Sequence, residues 1–227
     1  LRLGGGIRYF DLGAGFLAAS EALLMAFQLV EGGSLENVLV VASEHPQYKP
    51  GEEVDMAWGA GAAAFLVARE GFARLGSACS DYEIESYDFW TLRGESTVRY
   101  RAEMLDDNFD KALGSLVGKL GGRESLSAYR YIPVQMMRSR WSKALGKKGI
   151  KPEQVDPVSC LPHIGNLGTA TFAMNLALAL EQSAAGDRLL AVGYSHGNIL
   201  GLDLVVEGKN EGSNIKEMIA GGVQVDL

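Results

Sequence analysis

The sequence predicts a mixed α/β fold, a sheet layered with helices, on three observations. Short continuous apolar runs, Val38-Leu39-Val40-Val41-Ala42 foremost, have the composition of strands covered on both faces. Between them lie longer segments with apolar residues at helical spacing, as in Phe172, Leu176, Ala179 and Leu180. One order of elements, helix then strand then loop then strand, also occurs twice, over residues 14–69 and 169–206.

Taken in order, residues 7–12 follow the Gly4-Gly5-Gly6 run as a short strand. Those glycines do not make a dinucleotide fingerprint, which needs a strand before it and a helix after it. Residues 14–30 are rich in Ala, Leu and Met and read as a helix that Gly32-Gly33 ends. Residues 38–42 are the first buried strand, and 43–55 a polar loop with Pro46 and Pro50. Glycines and alanines from Gly59 to Ala64 then lead into Phe65-Leu66-Val67, a second buried strand approached closely by another backbone. A strand follows over residues 73–82. Residues 101–120 are an amphipathic helix with Met104, Phe109, Leu113, Leu116, Val117 and Leu120 as its stripe. Next come a short strand at 129–133, a helix at 136–145 ended by Gly146 and Gly149, and an extended piece at 155–160.

The chain is organised around His163-Ile164-Gly165-Asn166-Leu167-Gly168-Thr169-Ala170-Thr171 and the buried helix 169–182 behind it. Gly165 and Gly168 permit the turn, and Thr169 or Thr171 can cap the helix. An amide at the mouth of a buried helix can hold a ligand oxygen; the same residues can equally be a capped helix with a polar turn. Strands at 188–192 and 200–206 follow, joined by the loop 193–198, and the tail from Lys209 is peripheral.

The 227 residues carry a net charge of −7 with a pI near 5.1, which argues against nucleic acid or an anionic membrane as partner. Cys79 and Cys160 have neither disulfide-framework nor zinc-ligand spacing, so no metal is expected and a cytoplasmic setting with reduced thiols is the default. No apolar stretch is long enough to span a membrane. Leu1-Arg2-Leu3, without Met or a signal peptide, reads as an internal start.

An ordered set of motifs resembles the thiolase-fold condensing enzymes, ketoacyl-ACP synthase III and HMG-CoA synthase. The set is Val38-Leu39-Val40-Val41-Ala42-Ser43-Glu44, Gly59-Ala60-Gly61-Ala62-Ala63, Gly165-Asn166 and the Gly-rich hairpin before Leu200. Residues 164–171 and Tyr194-Ser195-His196-Gly197 are most similar to the HMG-CoA synthase branch. The resemblance spans residues 10–208. It implies a thiolase-like mixed sheet in two related halves, residues 1–70 being the remainder of the N-terminal half and 71–227 the C-terminal half. The first half would lack its first strands, leaving apolar edges that a partner covers, so the chain should not be stable as a lone monomer.

The family's chemistry needs a Cys at the start of a helix to carry the acyl group, a His, and the Asn of Gly-Asn. The matching junction, Phe10-Asp11-Leu12-Gly13-Ala14-Gly15-Phe16, holds no Cys, and Gly13 falls nearest the nucleophile position. In Tyr131-Ile132-Pro133-Val134-Gln135 a valine stands where the His should be, and valine neither transfers nor donates a proton. Asn166 is present. These departures leave three readings. The first is a degenerate, non-catalytic subunit that supports a ketoacyl synthase or HMG-CoA synthase-like assembly. The second is an acyltransferase with relocated catalytic residues, His163, His196 and Asn166, with Cys160 nearby. The third is a module that binds acyl-CoA or an acyl carrier protein through a basic patch of Arg138, Arg140, Lys143, Lys147 and Lys148, residues that also fit a solvated helix face. Gly13 and Gly197 would approach the substrate through backbone. No permanent cofactor is implied; a coenzyme A or phosphopantetheine thioester is the substrate. The implied partner is a homologous thiolase-fold subunit or a second copy, with residues 7–12 pairing across the interface.

Overall fold

The computed structural model describes residues 7–45, 58–82, 86, 89–90, 92–93, 99–135, 141–210 and 213–221. A 3-10 turn (Gly15–Leu17) leads into α1 (Ala18–Glu31), followed by β1 (Asn37–Glu44), β2 (Gly61–Ala68) and β3 (Ala73–Asp81). The short strands β4 (Phe89–Trp90) and β5 (Arg99–Tyr100) precede α2 (Ala102–Lys119), α3 (Trp141–Lys148), α4 (Pro152–Val155) and α5 (Leu161–Ile164). The chain continues through α6 (Thr169–Gln182), β6 (Arg188–Ser195), β7 (Asn198–Val206) and α7 (Ile215–Ala220).

These elements stack as four layers: the β1–β2 hairpin, then α1 beside α6, then a sheet of β3, β7 and β6, then α2 with α3. All strand pairs in the sheet are antiparallel. Residues 131–134 extend it, running parallel to β6 through bridges from Tyr131 to Leu189 and from Val134 to Val192. α1 buries Ala19, Leu23, Ala26 and Val30, one face at helical spacing. α6 is flanked by α1 and covered by strands above and below, so almost its whole length is buried, Ala170 to Leu180 apart from Met174. That agrees with the expected central helix, although the one-sided stripe read from the sequence understates its burial.

Several expectations are corrected. Residues 7–12 form no strand: among the described residues nothing pairs with them, and Ile7, Tyr9 and Phe10 are exposed. β1 and β2 lie where expected but are covered on one face only. Val40, Ala42 and Val67 face the helices, while Leu39, Val41 and Leu66 are 65%, 61% and 69% exposed. Residues 152–158 are short helical turns, because Pro152 and Pro157 each sit at a helix start, where a missing N–H costs nothing. Gly146 lies inside α3, and Gly149, with φ +93°, ends it. On α2 the buried residue is Leu105 rather than Met104. The loop expected at 193–198 contracts to two residues because the strands run on to Ser195 and Asn198.

Candidate active site

The β6–β7 hairpin closes through His196 and Gly197, with φ of +53° and +78°. A two-residue turn with both φ positive matches the twist of its strands. Glycine and asparagine suit such positions, and a histidine there costs on the order of 1 kcal/mol. Among the described residues His196 is the one non-glycine with positive φ. The turn is held from beneath. The Gly197 N–H donates to the Tyr194 hydroxyl at 3.1 Å. Tyr194 is fully buried and stands edge-on, at 5.3 Å, to both Phe109 and Trp141, which stack on each other at 3.7 Å. The His196 carbonyl accepts the Ser86 N–H at 3.3 Å. Ser195 Oγ lies 2.6 Å from His196 Nδ1.

Across from this turn runs Gly13-Ala14-Gly15, entering α1. Gly15 has φ +56°, and a Cβ there would stand 2.8 Å from Ser195 Oγ and 2.9 Å from His196 Cε1. Glycine is therefore required both by the backbone and by the approach of the hairpin. Gly13, Gly15, Ser195, His196 and Asn198 line an open cleft of about 560 Å³, together with Glu21 and Tyr82. Tyr82 donates to Glu21 Oε1 at 2.7 Å. Burial, then the Glu21 hydrogen bond and charge, pushes the Tyr82 phenol above its ordinary range.

Asn166 is built into the fold beside this cleft and does not line it. It is buried, and its Oδ1 accepts the Gly168 N–H and the Thr171 hydroxyl, both at 2.9 Å. Its carbonyl accepts the Gly59 N–H at 2.9 Å, and Trp58 pairs alongside as a parallel bridge. Neither threonine is the N-cap; Gly168 is, with φ +59°. The Thr171 hydroxyl accepts the Leu167 N–H at 2.7 Å. The Thr169 N–H is taken at 2.5 Å by Glu44, whose pKa burial raises and this bond lowers, the net being upward. Gln135, fully buried, links the Asn166 turn to the hairpin. Its Nε2 donates to the Gly168 carbonyl at 3.1 Å, and its Oε1 accepts the Tyr194 N–H at 3.4 Å. Sequence reading missed Gln135 and Ser195, although both lie inside motifs it singled out.

The other candidates stand apart. His163 is exposed on α5 and does not reach the cleft. Cys160 is fully buried, its thiol pushed up to about 12 by burial, and its N–H is held by Asn175 Oδ1 at 2.8 Å. Such a thiol has almost no thiolate at neutral pH. Val134, at the position where the resemblance puts a His, is buried in the cluster with Tyr194 and Ile199. Gly197 shapes the turn. Lys143 and Lys147 are exposed, and Lys148 pairs with Asp110 at 3.1 Å. Arg138 and Arg140 lie outside the described residues. Among the described residues no cluster of acidic, His or Cys side chains is arranged to hold a metal, and no helix is long and apolar enough to cross a membrane.

The fold agrees with solved structures. An HMG-CoA synthase complexed with CoA superposes with a TM-score of 0.77 at 20% identity, over 92% of this chain and 57% of that one. The 3-oxoacyl-(acyl carrier protein) synthase III of Pseudomonas aeruginosa gives 0.72 at 18% identity, over 88% and 67%. The fold is that of the thiolase-like condensing enzymes. In sequence, the chain is 28% identical over 186 residues to the hydroxymethylglutaryl-CoA synthase of Pyrobaculum neutrophilum, covering 79% of this chain and 52% of that protein. It spans about half the length of the curated relatives it matches. No family model matches it. The thiolase-like fold and the likeness to condensing enzymes that the motifs imply thus hold.

Proposed function

We propose that this chain is a thiolase-fold subunit of an acyl-condensing assembly that handles acyl thioesters without forming an acyl-cysteine. The observation that carries this reading is the make-up of the cleft. The turn entering α1 is Gly13-Ala14-Gly15, with no thiol, and Cys160 is buried with its pKa near 12. Without a thiolate, neither position can form an acyl-cysteine. Val134 removes the imidazole that the resemblance calls for, and the Asn166 Oδ1 is engaged in shaping the start of α6.

CoA or a phosphopantetheine carrier is the proposed thioester donor, supported by the likeness to a CoA-bound HMG-CoA synthase. The proposed partner is a homologous subunit or a second copy. The exposed apolar residues of β1 and β2, together with Ile7, Tyr9 and Phe10, supply area for such a contact. The free thiols of Cys79 and Cys160 fit a reducing cytoplasm.

The test is to incubate the full polypeptide, in the complex in which it occurs, with acetyl-CoA, then quench and map acetylated peptides. Cys79 and Cys160 should stay unmodified while calorimetry shows saturable CoA binding. Acetylation of either cysteine, or failure to bind CoA, would overturn the reading.

A further inference from the structure

We propose that Ser195 is an acyl acceptor in its own right, with His196 as its base, so that the cleft hydrolyses acyl thioesters instead of condensing them. This deepens the function proposed above and rests on it. A serine hydroxyl becomes a useful nucleophile when a base lies within hydrogen-bonding distance, and Ser195 Oγ stands 2.6 Å from His196 Nδ1. With the imidazole proton on Nε2, Nδ1 accepts from the hydroxyl.

Three further observations point the same way. First, neighbouring residues on a strand project to opposite faces, so a Ser-His pair in β6 would normally be separated. Here His196 is in the left-handed region, with φ +53°, and its Nδ1 lies 2.6 Å from Ser195 Oγ. A conformation that disfavours a side chain, occupied by a histidine where glycine or asparagine would close the turn as well, is the kind of strain found at functional sites. Second, the pair is fixed on a rigid support: Tyr194 holds Gly197, and Phe109 and Trp141 hold Tyr194. Third, the pair faces the cleft across a glycine. At Gly15 any side chain would press on both Ser195 Oγ and His196 Cε1. The cavity, about 560 Å³, is of a size that takes a small acyl group with part of its thiol carrier.

The chemistry balances without an oxidant or a metal. As Ser195 Oγ attacks the thioester carbonyl carbon, its proton passes to His196 Nδ1. The tetrahedral adduct collapses, the C–S bond breaks, and the departing thiolate takes the proton from Nδ1. Water then attacks the acyl-serine ester and gives up a proton to His196. The C–Oγ bond breaks, and Ser195 recovers its proton. The sum is thioester plus water to carboxylic acid plus thiol.

The experiment uses the full polypeptide in its complex, with acetyl-CoA as probe. Thiol release is followed with a chromogenic thiol reagent, and quenched samples are mapped for acetyl groups. The wild type should release CoA and carry acetyl on Ser195. Ser195→Ala should lose both. His196→Asn keeps a residue that tolerates the left-handed turn but removes the base. It should slow release by about a hundredfold or more, with its melting temperature not lowered. Release that persists in Ser195→Ala, acetyl mapped to another residue, or CoA bound with neither release nor adduct would each overturn the assignment. The last result would leave the thioester-binding reading standing, whereas an acetyl-cysteine would remove that reading too.

Discussion

Two antiparallel hairpins in this molecule are built alike and buried differently. β1–β2 pairs Asn37 with Ala68 through Glu44 with Gly61, and β6–β7 pairs Arg188 with Val205 through Ser195 with Asn198, eight residue pairs in each. Each is preceded by a long helix, and α1 and α6 pack together between them. β6–β7 has α6 on one face, α2 on the other and a strand along each edge, so nearly every residue is buried. β1–β2 has the helices on one face only, and its burial alternates. An apolar run thus sets what a strand can tolerate on its faces, while neighbours decide what covers it. The hairpin with two covered faces is the one that carries the candidate site, because a histidine in a left-handed turn needs a rigid base.

The sharpest contrast is a matched truncation. Leu202→Ala in β7, where the side chain is fully buried, should cost about 2–5 kcal/mol in a denaturant melt. Leu39→Ala in β1, 65% exposed, should change stability by less than about 0.5 kcal/mol. Equal losses would mean that both hairpins are covered in solution. Next in size is Asn166→Ala, which removes the acceptor of two buried hydrogen bonds and should cost about 1–3 kcal/mol. Thioester turnover per folded molecule should stay within about threefold, corresponding to under about 1 kcal/mol. A large loss of turnover with an unchanged melt would return Asn166 to a chemical role.

Leu39→Asp tests the exposed face. Its own stability should hardly change, but sedimentation of the complex should shift toward smaller species if that face is an interface. An unaltered distribution would place the partner elsewhere. The smallest effect concerns Glu44. Burial raises its pKa above the ordinary 4.5, so the folded chain binds more protons than the unfolded one between the two values. Stability contributed by this group therefore falls as pH rises through that window. Glu44→Gln should flatten the decline, measured as melting temperature against pH.

Most of the fold was legible from residue patterns. The bounds of α6 follow from the glycine turn before it and from apolar residues at helical spacing along it, and β7 and β3 follow from runs that end in charged or glycine residues. Less legible was anything that depends on a neighbour. The exposure of Leu39 and Leu66 turns on what lies over them, and the unpaired state of residues 7–12 on the absence of a described strand beside them. At the site, His196 stood out as a side chain, but its pairing with Ser195 depends on a positive φ that no spacing rule supplies. Asn166 drew notice as an amide at the mouth of a buried helix. Its actual partners, Gly168 and Thr171, lie within five residues and could have been found by asking which groups need satisfying at the start of α6.

The most direct measurement is hydrogen exchange by mass spectrometry with and without CoA, read on both hairpins at once. Exchange should slow at residues 13–17 and 195–198, on the two walls of the cleft, and stay the same across β1 and β2. Protection confined to the β1–β2 hairpin, or none at the cleft under saturating CoA, would contradict the placement of thioester binding between Gly15 and the Ser195–His196 turn.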